Sequence, residues 1–364
     1  MFRHILLATL ALSAPLLAQD TSPEALNQVR GLFERWNDFG QPGMAVGIIH
    51  DGDLVFAEGF GMANLEVGSE NGPEVLYRIG STSKQFTATA ISLLALDGKL
   101  ELDAPLNKYL PTFVDYKPPV TVRQLVNHTS GLPDYINIQF SQGGGGKAWF
   151  TPKQTLAVLS TADLEFTPGS RYAYSNSNYF LMGELVQRAS GKSLRDFARE
   201  RIFNPLGMDD TRFHDRHDEV IEGRSHGYSR QTESGRGEWK VDITHLDHVG
   251  DGGVFTTIED LAKWDANFYG NKLGHGQALL DLLHRQGVLN DGETIAYASG
   301  LNIGSNRGLR TVTHGGSWVG YLAAMDRYPD QRFTVIVLAN QTSANPAQLS
   351  RQVADICLKG LFTE

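Results

Sequence analysis

The sequence predicts an α+β fold: an α/β sandwich whose antiparallel sheet is built from both ends of the chain and flanked by helices. Three observations lead there. Residues from about 40 to 65 and from about 297 to 342 are rich in β-branched and aromatic residues and carry tight turns. Residues from about 81 to 290 show mostly helical patterning, broken by Gly and Pro. No internal repeat or long linker separates these parts, so both ends are expected to share one sheet within a single domain, 19–364.

Each element follows from local signals. Residues 1–18 read as a signal peptide: Arg3 and His4 precede an apolar run from Ile5 to Leu17, and Ala18 suits cleavage. The run is shorter than the roughly 20 residues that span a bilayer. The expectation is an exported protein, periplasmic or secreted, with no membrane insertion after processing. Ser22 and Pro23 then open a helix whose Leu26, Val29, Leu32, Phe33 and Trp36 share one face. Met44–Ile49 and Leu54–Phe60 read as strands joined at Asp51-Gly52. Helical periodicity marks Phe86–Leu96, Leu156–Ser160, Tyr179–Ser190 and Ile258–Phe268; Gly98 closes the first and Gly191 the third. Thr256 and Glu259 have capping-box spacing. Leu309–Thr313, Tyr321–Tyr328 and Phe333–Ala339 read as strands, the last two around Pro329-Asp330. A final helix starts near Asn345-Pro346, presents Leu349, Val353, Ile356 and Leu361, and packs Cys357 inward. Gly143–Gly146 reads as a loop without Walker spacing.

Composition narrows the function classes. Of 364 residues, 41% are hydrophobic and 20% charged, which is ordinary globular usage and argues against disorder. Lys plus Arg number 32 against 41 Asp plus Glu, a net charge of −9 with no basic cluster, so neither nucleic acid nor an anionic membrane surface is an expected partner. One cysteine excludes an internal disulfide and a thiolate zinc or iron–sulfur site. His214 with His217, and His245 with His248, lack the His-Glu-x-x-His arrangement and read as surface-loop histidines. No G-x-S-x-G elbow is present.

Three short motifs carry chemistry. Ser81-Thr82-Ser83-Lys84 stands directly before an apolar helix. Residues three apart share a helix face, so Lys84 can reach the Ser81 hydroxyl, while the helix start supplies unpaired N–H groups. A neutral lysine can deprotonate such a serine, and backbone N–H groups can hold an oxyanion. Tyr174-Ser175-Asn176 follows Pro168-Gly169; a tyrosine beside an ammonium is expected to have its phenol pKa lowered and to shuttle protons. Tyr135-Ile136-Asn137 and Tyr269-Gly270-Asn271 share this spacing, which by itself does not choose among them. His314-Gly315-Gly316-Ser317 offers small residues where another backbone can approach closely.

In this order, Ser-x-x-Lys, Tyr-x-Asn and a basic-residue/small/Gly triplet resemble the serine β-lactamase and penicillin-binding-protein family, and most of all its class C branch with DD-peptidase, D-aminopeptidase and esterase relatives. The resemblance runs from about Pro42 to Asn340. Tyr77-Arg78-Ile79-Gly80-Ser81, Leu125–Leu132 and Gly252-Gly253 before Thr256 belong to it, and Phe166-x-Pro168-Gly169 selects Tyr174 among the three tyrosines. It implies a β-lactamase/transpeptidase-like fold and no metal or organic cofactor. It makes Ser81 the nucleophile, Lys84 its base and Tyr174 the proton exchanger. Asn176 supports Lys84 and the substrate amide, His314 and Gly316 line the strand, and the N–H groups of Ser81 and Ser317 form the oxyanion hole. The implied activity is a secreted serine hydrolase acting through an acyl-enzyme on a small ester, a D-amino-acid peptide or a β-lactam. The alternative is a non-catalytic binder of peptidoglycan-type peptides.

Two positions depart from the pattern. His314 stands where lysine is most frequent, and Gly315 where Thr or Ser is frequent. Any attraction of a substrate carboxylate by His314 should therefore fade between pH 6 and 8, unless an arginine such as Arg310 substitutes.

Overall fold

The computed structural model describes residues 19–141, 150–230 and 239–363. The expected signal peptide and the Gly143–Gly146 loop lie outside the described residues. Among these residues no helix is long and apolar enough to cross a membrane.

Helix α1 (Pro23–Phe33) begins where the Ser22 hydroxyl accepts from the Ala25 N–H at 3.3 Å. Strands β1 (Met44–His50) and β2 (Asp53–Phe60) form one edge of a six-stranded antiparallel sheet. β3 (Asn302–Asn306), β4 (Leu309–Trp318), β5 (Tyr321–Tyr328) and β6 (Phe333–Ala339) complete it in the order β3-β4-β5-β6-β1-β2. The two chain ends therefore meet at β6 and β1, with Met44 opposite Ala339 and His50 opposite Phe333.

Both faces of this sheet are covered, which explains why its central strands read as continuous apolar runs. Side chains alternate between faces. Phe333, Val335 and Val337 of β6 join Met44, Val46 and Ile48 of β1 in one layer, under α1 and the terminal helix α5 (Pro346–Cys357). Ile336 and Leu338 face the other layer with Ala45 and Ile49, against α4 (Ile258–Asn267) and the helical region. Gly47 has no side chain because a Cβ there would stand 2.5 Å from Ile258 Cγ2. Cys357 is buried in the first layer, which pushes its thiol pKa up to about 12.

The α+β class holds, with four local corrections. β4 does not stop at Thr313 but runs to Trp318, because Gly315 and Gly316 pair with Ala324 and Ala323 and keep the ladder unobstructed. Met62–Asn64 leaves the main sheet and pairs with Ser69–Glu70. The cap of α4 is Thr257, one residue later than expected, accepting from Asp260 N–H at 3.1 Å; Thr256 ends a short strand and bonds Thr211. Leu361 lies beyond α5, which ends at Cys357. The inserted region is also less purely helical: Tyr77–Arg78, Val254–Thr256 and Arg212–Phe213 form a small sheet.

Two helices of that region position the site. α2 (Lys84–Leu96) is buried almost throughout, and α3 (Asn176–Ser190) packs against it. The two regions are joined by a fully buried ion pair, Arg327 Nε of β5 to Asp265 Oδ1 of α4 at 2.6 Å, with the Thr334 hydroxyl donating to the same oxygen at 2.9 Å. Removing one partner of such a pair leaves an uncompensated buried charge. Asp265→Ala should therefore lower unfolding free energy by about 3–5 kcal/mol, whereas Asp265→Leu combined with Arg327→Met should cost much less. Urea denaturation of the three proteins checks this; equal losses in the single and double variants would refute it.

Candidate active site

Ser81 sits in a 3-10 turn, Gly80–Ser83, that runs directly into α2. The turn is held from both sides. Ile79 N–H donates to Val254 C=O at 3.0 Å, and the Ser83 hydroxyl accepts from Val254 N–H at 3.1 Å. β4 presses on the opposite side. A Cβ on Gly316 would stand 1.9 Å from Ile79 O, and one on Gly80, whose φ is +50°, would stand 2.6 Å from Ser317 N. A Cβ on Gly316 would also stand 3.1 Å from Ser81 N, so the backbone nitrogens of Ser81 and Ser317 both lie at this contact.

Lys84 follows at the first turn of α2 and is fully buried. Its Nζ donates to Ser81 Oγ at 3.1 Å, to Asn176 Oδ1 at 2.9 Å and to Asp251 C=O at 2.6 Å. Burial pulls its pKa down from 10.5 to about 8, against the opposing pull of Asp251 and Asp134. A general base works best with a pKa near ambient pH, and burial has moved this amine toward that range.

Asn176 is the first residue of α3, and its orientation is set by Asp134, which sequence reasoning missed. Asp134 Oδ2 accepts from both Asn176 N–H at 2.8 Å and Asn176 Nδ2 at 2.9 Å. The carboxylate caps α3 from another segment, at the positive end of the helix. It also fixes the amide so that Oδ1 turns to Lys84. The only sequence signal is an acid two residues after the Gly131-Leu132 turn.

Tyr174 covers the other side of Ser81. Its phenol lies close enough for the Ser81 hydroxyl to act on its protonation, and its ring lies 4.9 Å from Lys84 Nζ. The expected lowering of its pKa is overturned: burial dominates and pushes the phenol well above its ordinary range, with the Ser81 hydroxyl only partly opposing. Tyr174 is therefore held neutral, and of the two groups Lys84 has the pKa nearer to neutral pH. The other two tyrosines lie elsewhere. Tyr135 O–H donates to the buried Asp251 Oδ2 at 2.9 Å, and Tyr269 lies under the Arg332 guanidinium.

His128 supports Tyr174 from behind. Its ring lies 4.3 Å from that of Tyr174 and 4.9 Å from that of Tyr179. Burial pushes its pKa far down, and Nδ1 of the neutral ring accepts from Ser175 N–H at 3.2 Å and Asn178 Nδ2 at 3.1 Å. The left-handed residue after the short helix Val122–Val126 is His128 itself, with φ +56°. Gly131 is left-handed for a different reason, since a Cβ there would meet Phe166 O at 2.3 Å.

His314 lines the cleft, but its expected charge change between pH 6 and 8 is overturned. Burial and the nearby Lys84 pull its pKa down to about 4. The neutral ring donates from Nδ1 to Gly315 C=O at 2.6 Å and accepts at Nε2 from Tyr297 O–H at 3.1 Å. Arg310 is no substitute: it is half exposed and reaches Asp330 at 4.0 Å. The cleft holds about 500 Å³, and its described lining residues carry no charge; Ser81, Tyr172, Tyr174, Tyr297, His314 and Gly316 form its reactive end.

The chain matches the family model described as Beta-lactamase over residues 30–357. It is 33% identical over 323 residues to Penicillin-binding protein 4* of Bacillus subtilis (strain 168), covering 85% of this chain and 70% of that protein. It is 31% identical over 301 residues to the D-aminopeptidase of Brucella canis, covering 82% of this chain and 56% of that one, so it spans little more than half of that relative. Among solved structures it superposes on the octameric penicillin-binding protein homologue from Pyrococcus abyssi with a TM-score of 0.81 at 29% identity, covering 92% of this chain and 77% of the other. The penicillin-binding protein from Bacillus halodurans gives 0.78 at 25% identity, covering 91% and 99%. These superpositions establish the β-lactamase/transpeptidase-like fold.

The geometry predicts how Ser81 reactivity depends on pH. The neutral form of Lys84 becomes populated as pH rises through about 8, so the rate of Ser81 acylation by a fluorophosphonate should climb across that range. Asp134→Ala frees the Asn176 amide to rotate and should lower that rate by about ten- to a hundredfold, and should move the midpoint of the pH profile with little change in melting temperature. Stopped-flow labelling between pH 6 and 10 measures both; a flat profile in the wild type would contradict the role of Lys84.

Proposed function

Because the chain belongs to the Beta-lactamase family, we propose that it is an exported serine hydrolase that cleaves uncharged ester or amide substrates through an acyl-enzyme on Ser81. The observation that carries the reading is the buried amine of Lys84, 3.1 Å from the Ser81 hydroxyl, with its two other hydrogen bonds fixed by the fold.

The steps follow from the groups present. Neutral Lys84 accepts the Ser81 proton as Oγ attacks the acyl carbon. The oxygen that gains charge is held by the N–H groups of Ser81 and Ser317, which are fixed before reaction begins. Tyr174 O–H delivers a proton to the leaving alkoxide or amine, and the proton held by Lys84 replaces it. Water then adds to the acyl-enzyme with Lys84, neutral again, as base, and release of the acid restores Ser81.

The substrate class follows from the absence of charge among the described lining residues. A carboxylate entering this cleft meets a neutral His314, and an ammonium meets no acid. Desolvating either without a partner costs more than placing an uncharged group on the tyrosine wall. Neutral esters and amides therefore fit better than penicillins, cephalosporins or peptides with a free terminus in the cleft.

Two outcomes are expected. Intact-mass spectrometry after treatment with a fluorophosphonate should show one adduct on the wild type and none on Ser81→Ala; an equal adduct on both would remove Ser81 from the mechanism. The ratio of kcat/KM for a p-nitrophenyl ester over a cephalosporin should exceed one and stay constant from pH 6 to 8, because His314 remains neutral throughout that interval. A ratio that moves with the protonation of a group near pH 6.5 would refute the uncharged-cleft reading.

A further inference from the structure

A second cavity lies on the far side of the β4–β5 turn and shares no lining residue with the Ser81 cleft. It is small, about 100 Å³, and strongly basic: Arg78, Arg224, His214 and His226 line it. Asp242 is the one acid among its described lining residues, and Lys240 already reaches that carboxylate at 3.5 Å.

Arg78 makes the cavity unusual. It is 3% exposed, yet forms no ion pair among the described residues. Its hydrogen bonding there is limited to Nη1 donating to His214 Nδ1 at 3.4 Å, and the buried Nε has no acceptor. A guanidinium is always charged, and buried charges are ordinarily paired. The bond from Arg78 places the single proton of a neutral His214 on Nε2, and that buried atom makes no hydrogen bond of ordinary geometry, with the Glu219 backbone nearby. Arg224 forms no ion pair among the described residues either. Two unmatched guanidinium groups and a second unmatched donor thus surround one cavity, and the missing complement is an acceptor carrying negative charge.

We propose that this cavity is a binding site for a small oxyanion, a carboxylate or an inorganic phosphate, held by Arg78 and Arg224 with His214 as a further donor. Both anions offer the paired oxygens that a guanidinium fork engages, and the volume admits a group of that size but not an extended substrate. The site lies at the base of the strand that leads to Ser81, since Arg78 precedes the nucleophile by three residues. The proposal does not depend on Ser81 being catalytic.

The test is titration of the full chain at pH 8 with sodium phosphate and, separately, sodium acetate, at ionic strength matched with sodium chloride. Calorimetry gives stoichiometry, and histidine ring resonances give location. One-site saturation by either anion is expected, moving the His214 and His226 rings while His314 stays in place; comparing the two affinities separates the tetrahedral from the planar ligand. Arg224→Gln, at a half-buried position, should weaken binding roughly tenfold or more. Arg78→Lys keeps the charge but loses the fork, and should also weaken it. Failure to saturate with both anions, affinity unchanged in Arg224→Gln, or a shift confined to His314 would each overturn the proposal.

Discussion

The site depends on holding one ammonium group out of water. Lys84 has no solvent contact, and three acceptors from three separate segments meet its Nζ. Each acceptor is itself fixed. Ser81 is fixed by the 3-10 turn, Asn176 by Asp134, and the Asp251 carbonyl by a segment that Thr87 ties to α2 through Gly250 C=O at 2.7 Å. Burial favours the neutral amine and the acceptors favour the charged one. The balance leaves Lys84 near the pH at which a lysine can act as a base.

The same economy of space governs the cleft wall. β4 carries Gly315 and Gly316 into a ladder with two alanines of β5, so the strand can lie against the turn that holds Ser81. Any side chain at Gly316 would push the two backbones apart and separate the Ser81 and Ser317 N–H groups. The sheet that brings β4 there is braced by the buried Arg327–Asp265 pair and by Asn340, whose amide donates to Met62, Ala63 and His226 carbonyls and accepts from Gly43 N–H. Stability and reactivity thus rest on the same packed layers.

Charge is distributed unevenly over the two cavities. The Ser81 cleft is lined by aromatic and small uncharged groups, whereas the cavity behind the β4–β5 turn gathers unmatched arginines. Desolvation keeps the histidines in both neutral, His314 in the first and His214 in the second, each with a pKa pulled down to about 4. In the first this leaves no charged group among the described lining residues, the Lys84 amine standing behind Ser81. In the second the guanidinium charges remain, because arginine does not give up its proton.

Periodicity and turn residues in the sequence were enough to place both sheet ends, the principal helices and the Ser81–Lys84 pair, because these depend on neighbours within one or two turns of chain. Spacing alone does not distinguish Tyr174 from Tyr135 and Tyr269; the Phe166-x-Pro168-Gly169 context does so only through the family resemblance. Asp134, Tyr297 and Arg78 could not be found that way. Their partners stand 42, 17 and 136 residues away, and only the tertiary fold brings them together: α3 and β4 for Asp134 and Tyr297, and the small sheet on Val254–Thr256 for Arg78. Protonation was decided at the same level. A lysine, a tyrosine and a histidine carry ordinary pKa values in a sequence; burial is the largest cause that lowered Lys84, raised Tyr174 and, together with the charge of Lys84, lowered His314, and burial is a property of the folded whole.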